Sequence, residues 1–335
     1  MIITKEVSLY KQLNIPNVDE RNYWLVRTNS GKYYQDFTLH DYIAIAWDYI
    51  TLPILDNKTE DEIKALIELN ERSKPSDPDD DEEEEETKSG KVTGIYNKIM
   101  RFTQECNIGD IVLVPSKNSD FVSVGTIDSD VYENASYISD YLEKNPHTEL
   151  KLCPHFKRRN VKWLQEISKS KLDIYLAKAF SSHHAISSID EYSTFIDRNL
   201  YPIYTKGEEL HSTIHAGHPN GLTIRELVEL STNLEESLID LSKETGIEYD
   251  EKAYNVKINI HSPGLLEFIS YGACAGIILT AFMFSLNHII NGGSFKIGFK
   301  KDPVTNNTEF ILESESKGKR GRDLEFKELE LKRHK

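Results

Sequence analysis

Between residues 22 and 48, two apolar runs bracket a polar excursion. Tyr23-Trp24-Leu25-Val26 has the aromatic and β-branched composition of a buried strand. Tyr42-Ile43-Ala44-Ile45-Ala46-Trp47 alternates large and small side chains, which predicts a strand with one bulky face that ends at Trp47, before Asp48. Asn29-Ser30-Gly31 marks a turn between them. Further on, Ile63, Leu66 and Leu69 share one face of a predicted helix over 60–71. Residues 73–90 hold almost no apolar side chain and predict a solvated, disordered loop. Ile95, Ile99 and Phe102 predict a helix closed by Asn107-Ile108-Gly109-Asp110. The apolar run 111–115 stops at a proline, and 121–127 pairs back across a polar loop as a hairpin. A strand at 159–164 and a short helix at 172–180 follow.

Beyond about residue 204 the pattern changes. Thr223-Ile224-Arg225-Glu226 is a capping box, and Leu227, Leu230, Leu234, Leu238 and Leu241 stripe the helix it opens, which should end at Gly246. Residues 256–260 alternate as a strand. Residues 268–290 then carry no formal charge and predict one long apolar helix, with Gly272 and Gly276 on a small-residue face. Two readings stand for it: a membrane-inserting segment, or a helix buried between strands in a β-helix-β-β unit, with further strands at 295–299 and 309–312. His211, His215 and His218 would have zinc-ligand spacing on a helix, but Gly217 and Pro219 argue against one there.

The chain of 335 residues is 39% hydrophobic, enough for two domains with real cores. Its net charge is −15, yet the run 77–86 holds nine acids. Removing those nine from −15 leaves the remainder near −6, so a basic face elsewhere stays open. Cys106, Cys153 and Cys274 have no metal or disulfide spacing. The first residues lack a secretory apolar core, so a cytoplasmic protein is expected.

Trp47 beside Asp48 could stack a flat heterocycle and hydrogen-bond its edge, or be a core tryptophan before a turn. The order YWLVR, AIAWD, helix, IGDIVLVPSKNSDFVSVGTI, RRNVKW, LDIYLAKAFSSHHAISSI over about 23–200 resembles the N-terminal domain of Mrr-type restriction endonucleases and the EVE-like branch of PUA-superfamily domains. The resemblance implies a PUA-like bent β-barrel with flanking helices; the pattern beyond it adds a smaller C-terminal α+β module with one long apolar helix, so the expected class is α+β. It also implies recognition of a modified base or nucleotide in an aromatic pocket. Carried over by position, the base-binding candidates are Trp47, Asp48, Tyr33, Tyr34, Ser116, Lys117 and Asn118. Arg158, Arg159 and Lys162, with Lys157, would form a phosphate-tracking strip.

The expected organisation is a base-recognition domain over 1–204, a helical connector over 205–246, an assembly or effector module over 247–317 and a basic tail over 318–335. The expected role is a sensor without its own chemistry in prokaryotic anti-phage defence. Its partners would be nucleic acid or a modified nucleotide, and a second copy of the chain through the C-terminal module; the membrane is a further alternative. No cofactor is expected. A competing enzyme reading places Mg²⁺ on Asp302 and Glu315 with Lys317 steadying water, as Mrr-type nucleases do.

Overall fold

A computed structural model describes residues 10–11, 13–72, 88–169, 172, 175–182, 184–215, 223–259, 265–290, 294–301 and 308–315. The chain divides into two compact units, residues 20–196 and residues 1–19 with 197–335.

The first unit runs β1 (Tyr23–Val26), α1 (Tyr34–Leu39), β2 (Tyr42–Ile45), α2 (Leu52–Asn57), α3 (Glu60–Arg72) and α4 (Lys88–Met100). A π-helical turn at Arg101–Glu105 leads into β3 (Ile111–Pro115), β4 (Phe121–Ile127), β5 (Tyr132–Glu133), α5 (Tyr137–Lys144), β6 (Lys157–Ser168) and β7 (Ile186–Ser188). The strands form one curled sheet in the order β2-β6-β4-β3-β1-β7, with β5 also on β6. Only β1 and β3 are parallel. Asp110 makes that pairing possible. Its buried carboxylate accepts the Asn22 and Asn107 amides and the Trp24 indole N–H, each at 2.9 Å. Gly109, at φ +97°, supplies the left-handed turn that brings Asp110 there.

Two cores flank the sheet. Trp24, Phe37, Ile43, Phe102 and Val112 belong to the larger, and Ile50, Ile63, Ile67, Ile95 and Ile99 to the one between α3 and α4. Full burial of each such side chain contributes roughly 1.5–3 kcal/mol. Thr59 and Glu62 cap α3 reciprocally, the Thr59 amide donating to Glu62 at 2.9 Å and the Glu62 amide to Thr59 Oγ1 at 3.4 Å.

The helix α6 (Ser193–Leu200) carries the chain toward the second unit, which comprises β8 (Ile203–Lys206), β9 (Glu209–His215), α7 (Ile224–Thr245), β10 (Tyr254–Asn259), β11 (Leu265–Tyr271), α8 (Ala273–Ile290), β12 (Ser294–Lys301) and β13 (Thr308–Glu315). Strands β10-β11-β9-β8 make an antiparallel sheet, and β12 pairs with β13. Leu234 and Leu238 of α7 pack with Ile278 and Leu279 of α8 on Phe268 and Leu210.

The α+β class and the 111–127 hairpin follow the sequence pattern. Several expectations need correction. A helix, α1, occupies part of the supposed polar excursion, and α4 begins at Lys88, inside the stretch expected to be loop; the acidic run 77–86 lies outside the described residues. The strand expected over 159–164 extends to 157–168, and the helix expected over 172–180 is a 3₁₀ segment, Leu176–Ser181. The single long helix over 268–290 is not formed. Phe268 to Tyr271 pairs along β9, Gly272 turns the chain at φ +79°, and the helix starts at Ala273. Gly272 therefore lies outside any helical small-residue face. Among the described residues no helix is long and apolar enough to cross a membrane. His211 and His215 lie on the extended strand β9 rather than a helix, and His218 lies outside the described residues, so the zinc spacing is not realised.

Candidate functional site

The site is built where strand β6 changes partners. Its first residues pair with β2 (Tyr42 with Asn160, Ile45 with Lys157), and from Val161 onward it pairs with β4. At the changeover, the Val161 amide donates to Asp41 O at 2.9 Å and the Asp128 amide to Asn160 O at 2.8 Å. The loops before β2 and after β4 are thus pinned on either side of β6 with a gap between them. His40, Asp41, Asp128, Asn160, Val161, Lys162 and Trp163 line this open groove of about 520 Å³. Gly125 sits at a β-bulge behind it, where a Cβ would meet Val161 and lie 2.8 Å from the Trp163 ring. Trp163 is half-buried, lining the groove and packing against the larger core. The Trp163 indole nitrogen is buried and has no hydrogen-bond partner among the described residues.

One wall is anchored by a buried carboxylate. Asp36, fully buried in α1, accepts Tyr42 and Tyr137 hydroxyls at 2.5 Å and the Cys153 amide at 2.6 Å. His40, one helical turn on, has Nδ1 2.8 Å from Asp36 Oδ1. Burial first, then the bond to Asp36, raises both tyrosines, so they remain protonated donors. A carboxylate only accepts, so this contact calls for a proton on Nδ1, and in the neutral form of the ring Nε2 is then the acceptor. The Nε2 atom makes no hydrogen bond among the described residues. The Arg158 guanidinium stacks on the same two rings, 3.6 Å from the Tyr137 centroid and 4.1 Å from that of Tyr42.

The base-binding candidates fall at the other end of β2. Trp47 lies beyond that strand at φ +63°, packed against both cores, with Lys98 5.9 Å over its ring. Asp48 accepts the Phe156 amide at 2.7 Å and lies 3.2 Å from His155 Nδ1 and 4.0 Å from Lys157 Nζ. Burial would raise its pKa, but His155, the Phe156 amide and Lys157 outweigh that and hold it below the ordinary aspartate value. Tyr33, itself buried, meets the His155 ring edge-on at 6.1 Å. Tyr33, Trp47 and Asp48 are thus brought together around His155, but as packed and bonded groups. Tyr34 is buried, its hydroxyl 2.6 Å from both Ser123 Oγ and Glu166 Oε2. Ser116 closes the β3–β4 turn by accepting the Phe121 amide, while Lys117 and Asn118 are exposed at its tip.

The phosphate strip is corrected outright for three of its members. Lys157, Arg158 and Arg159 are at most 3% exposed. Lys157 donates to Trp47 O and Ile50 O, and Arg158 to His155 O and Cys153 O. Arg159 donates to Phe102 O, Thr103 O and Ser129 O, and so satisfies carbonyls of the π-turn. Only Lys162 is exposed, and it lines the groove. Of the nuclease set, Asp302 and Lys317 lie outside the described residues, and Glu315 is the last residue of β13.

The sequence reading passed over Asp36, His40 and Asp128. The i,i+4 spacing of Asp36 and His40 was the available signal, masked because 34–39 was not read as helix. A second buried polar group lies in the other unit. His211 stacks on Tyr204 at 4.7 Å, with Nδ1 2.8 Å from Glu267 Oε1; Nε2 is 2.9 Å from Glu209 Oε2, at an angle unsuited to a hydrogen bond.

No curated protein and no solved structure matches the chain. Residues 22–187, from just before β1 into β7, match a family model described as a domain of unknown function, DUF8426.

Proposed function

We propose that residues 20–196 form a PUA-like binding module for a nucleobase-type heterocycle, and that the ligand occupies the groove between β2 and β4 rather than the surroundings of Trp47. The observation that carries this is the groove itself. A tryptophan face, a histidine, two carboxylates, an amide and one lysine converge on about 520 Å³ where the sheet opens. An aromatic wall binds a flat ring at low entropic cost, and hydrogen-bonding groups around it read the ring edge. The curled sheet with flanking helices supports the PUA-like reading, and the EVE-like resemblance adds the expectation that the base is modified. The Trp47 ring packs against both cores.

The test is titration of plain and base-methylated nucleosides, and short oligonucleotides carrying them, into the full chain, followed by tryptophan fluorescence and calorimetry. Binding that is lost in Trp163→Ala and kept in Trp47→Ala is the expected result. Binding lost only in Trp47→Ala would return the site to the far end of β2.

A further inference from the structure

We infer that the groove selects a donor-rich heterocycle, one bearing an amino group or a positive charge, presented without a phosphate. The inference rests on the base-binding reading above and concerns what the groove's own chemistry admits. Asp41 and Asp128 are exposed carboxylates, acceptors only at neutral pH. In its neutral form His40 adds a third acceptor, because Asp36 holds Nδ1 and Nε2 keeps a lone pair. Asn160 Oδ1 already accepts the Tyr132 hydroxyl at 2.8 Å, which leaves its amide nitrogen for a ligand acceptor. Lys162 is the remaining donor, since the Trp163 N–H is buried and offers only its ring.

Acceptors thus crowd one side of the gap, the β2 and β4 loops, while donors come from β6. A ring with an exocyclic amino group beside a ring nitrogen or carbonyl meets both sides. Uracil turns two carbonyl oxygens with one N–H between them toward the same groups, so carbonyl faces carboxylate. A phosphate fares worse. The two carboxylates outweigh the one lysine, the three neighbouring cations of β6 are buried and committed to backbone carbonyls, and the chain as a whole carries −15. A nucleic-acid strand would have no cationic track leading to this groove along β6.

The experiment titrates adenosine, cytidine, guanosine and uridine, and the 5′-monophosphate of each, into the full chain at low and moderate salt. The amino-bearing nucleosides should bind at least about tenfold tighter than uridine, the weight of one well-made hydrogen bond exchanged for a repulsive contact. Phosphorylation should weaken binding about threefold or more, and salt should shrink that penalty. Asp128→Asn should narrow both differences. Uridine binding as tightly as cytidine, or monophosphates binding tighter than nucleosides, would overturn the inference and leave the base-binding reading standing. Silence with every nucleoside and monophosphate would overturn both.

Discussion

Replacing Asp36 tests the anchor on which the groove wall depends. The carboxylate is fully buried and accepts four donors: the Tyr42 and Tyr137 hydroxyls, the Cys153 amide and His40 Nδ1. In Asp36→Ala, the buried Tyr42 hydroxyl and Cys153 amide have no water to turn to. Each orphaned donor costs about 1–3 kcal/mol, so the variant should lose about 4 kcal/mol. That is a large part of the roughly 5–15 kcal/mol that holds a domain folded. Asp36→Asn is a milder and more informative change. Its one oxygen can stay with the buried pair, which turns the amide N–H₂ toward Tyr137 and His40. Both can accept, His40 by moving its proton from Nδ1 to Nε2. The expected loss is only about 1 kcal/mol, but Nε2 becomes a donor and the polarity of that groove wall reverses. Urea unfolding measures the first effect, and nitrogen-15 shifts of the His40 ring above its titration range measure the second. An Asp36→Ala variant within about 0.5 kcal/mol of the parent, or an unchanged His40 tautomer in Asp36→Asn, would refute the reasoning.

Gly125→Ala should displace both Val161 and Trp163 in the groove lining, since the new Cβ would meet Val161 Cγ1 and stand 2.8 Å from the Trp163 ring; binding should drop at least about tenfold, read by calorimetry, while circular dichroism stays native. Trp47→Ala should cost about 3 kcal/mol in urea unfolding by opening a gap between two cores, yet leave groove affinity within about twofold. Glu267 is raised by burial, but the His211 bond and charge, with Lys257 and Arg198, hold it below the ordinary glutamate value of 4.5. Its contribution is therefore complete above pH 4.5 and lost as pH falls through its lowered value. In His211→Ala only Lys257 and Arg198 are left to oppose burial, so the Glu267 value rises and less stability is lost as pH falls. The gap from the parent, about 3–5 kcal/mol at pH 7, should narrow as pH falls toward 4.5 in unfolding curves taken across that range.

Strand and helix positions were legible wherever one side of the element is apolar. The hairpin 111–127 reads correctly because Ile111 to Val114 are fully buried on both faces and Pro115 stops the run. The Gly109-Asp110 turn was visible too, though its role as a clamp on Trp24 and Asn22 depends on contacts about ninety residues apart. What failed was the assumption that polar residues face water. Lys157, Arg158 and Arg159 read as a surface strip because the pattern 157–163 is basic, and periodicity cannot see the carbonyls waiting for them. Phe268 to Tyr271 read as helix because strand and helix are indistinguishable in a uniformly apolar run, and the break depends on one glycine conformation. Asp36 read as loop polarity, yet its buried carboxylate meets four donors.

The buried cations of β6 change how the whole first unit presents itself. Each guanidinium or ammonium costs several kcal/mol to desolvate, and burial lowers the pKa of both Lys157 and Arg159. The cost is offset because each cation ties carbonyls from different segments: Trp47 and Ile50 after β2, Cys153 and His155 before β6, Phe102 and Thr103 in the π-turn. These ties hold the loop at Trp47 and the segment before β6, and the stacked Arg158 steadies Tyr42 and Tyr137, which in turn hold Asp36. Burying these three adjacent basic residues withdraws them from the surface of β6, while Asp36 and Asp110 are the carboxylates buried in the same unit among the described residues. Around the groove the exposed charges are Asp41 and Asp128, with Lys162 alone against them. The same burial that stabilises the sheet therefore sets the sign of the groove: with Lys157, Arg158 and Arg159 turned inward, two carboxylates face one lysine there, which is the premise of the ligand preference we propose.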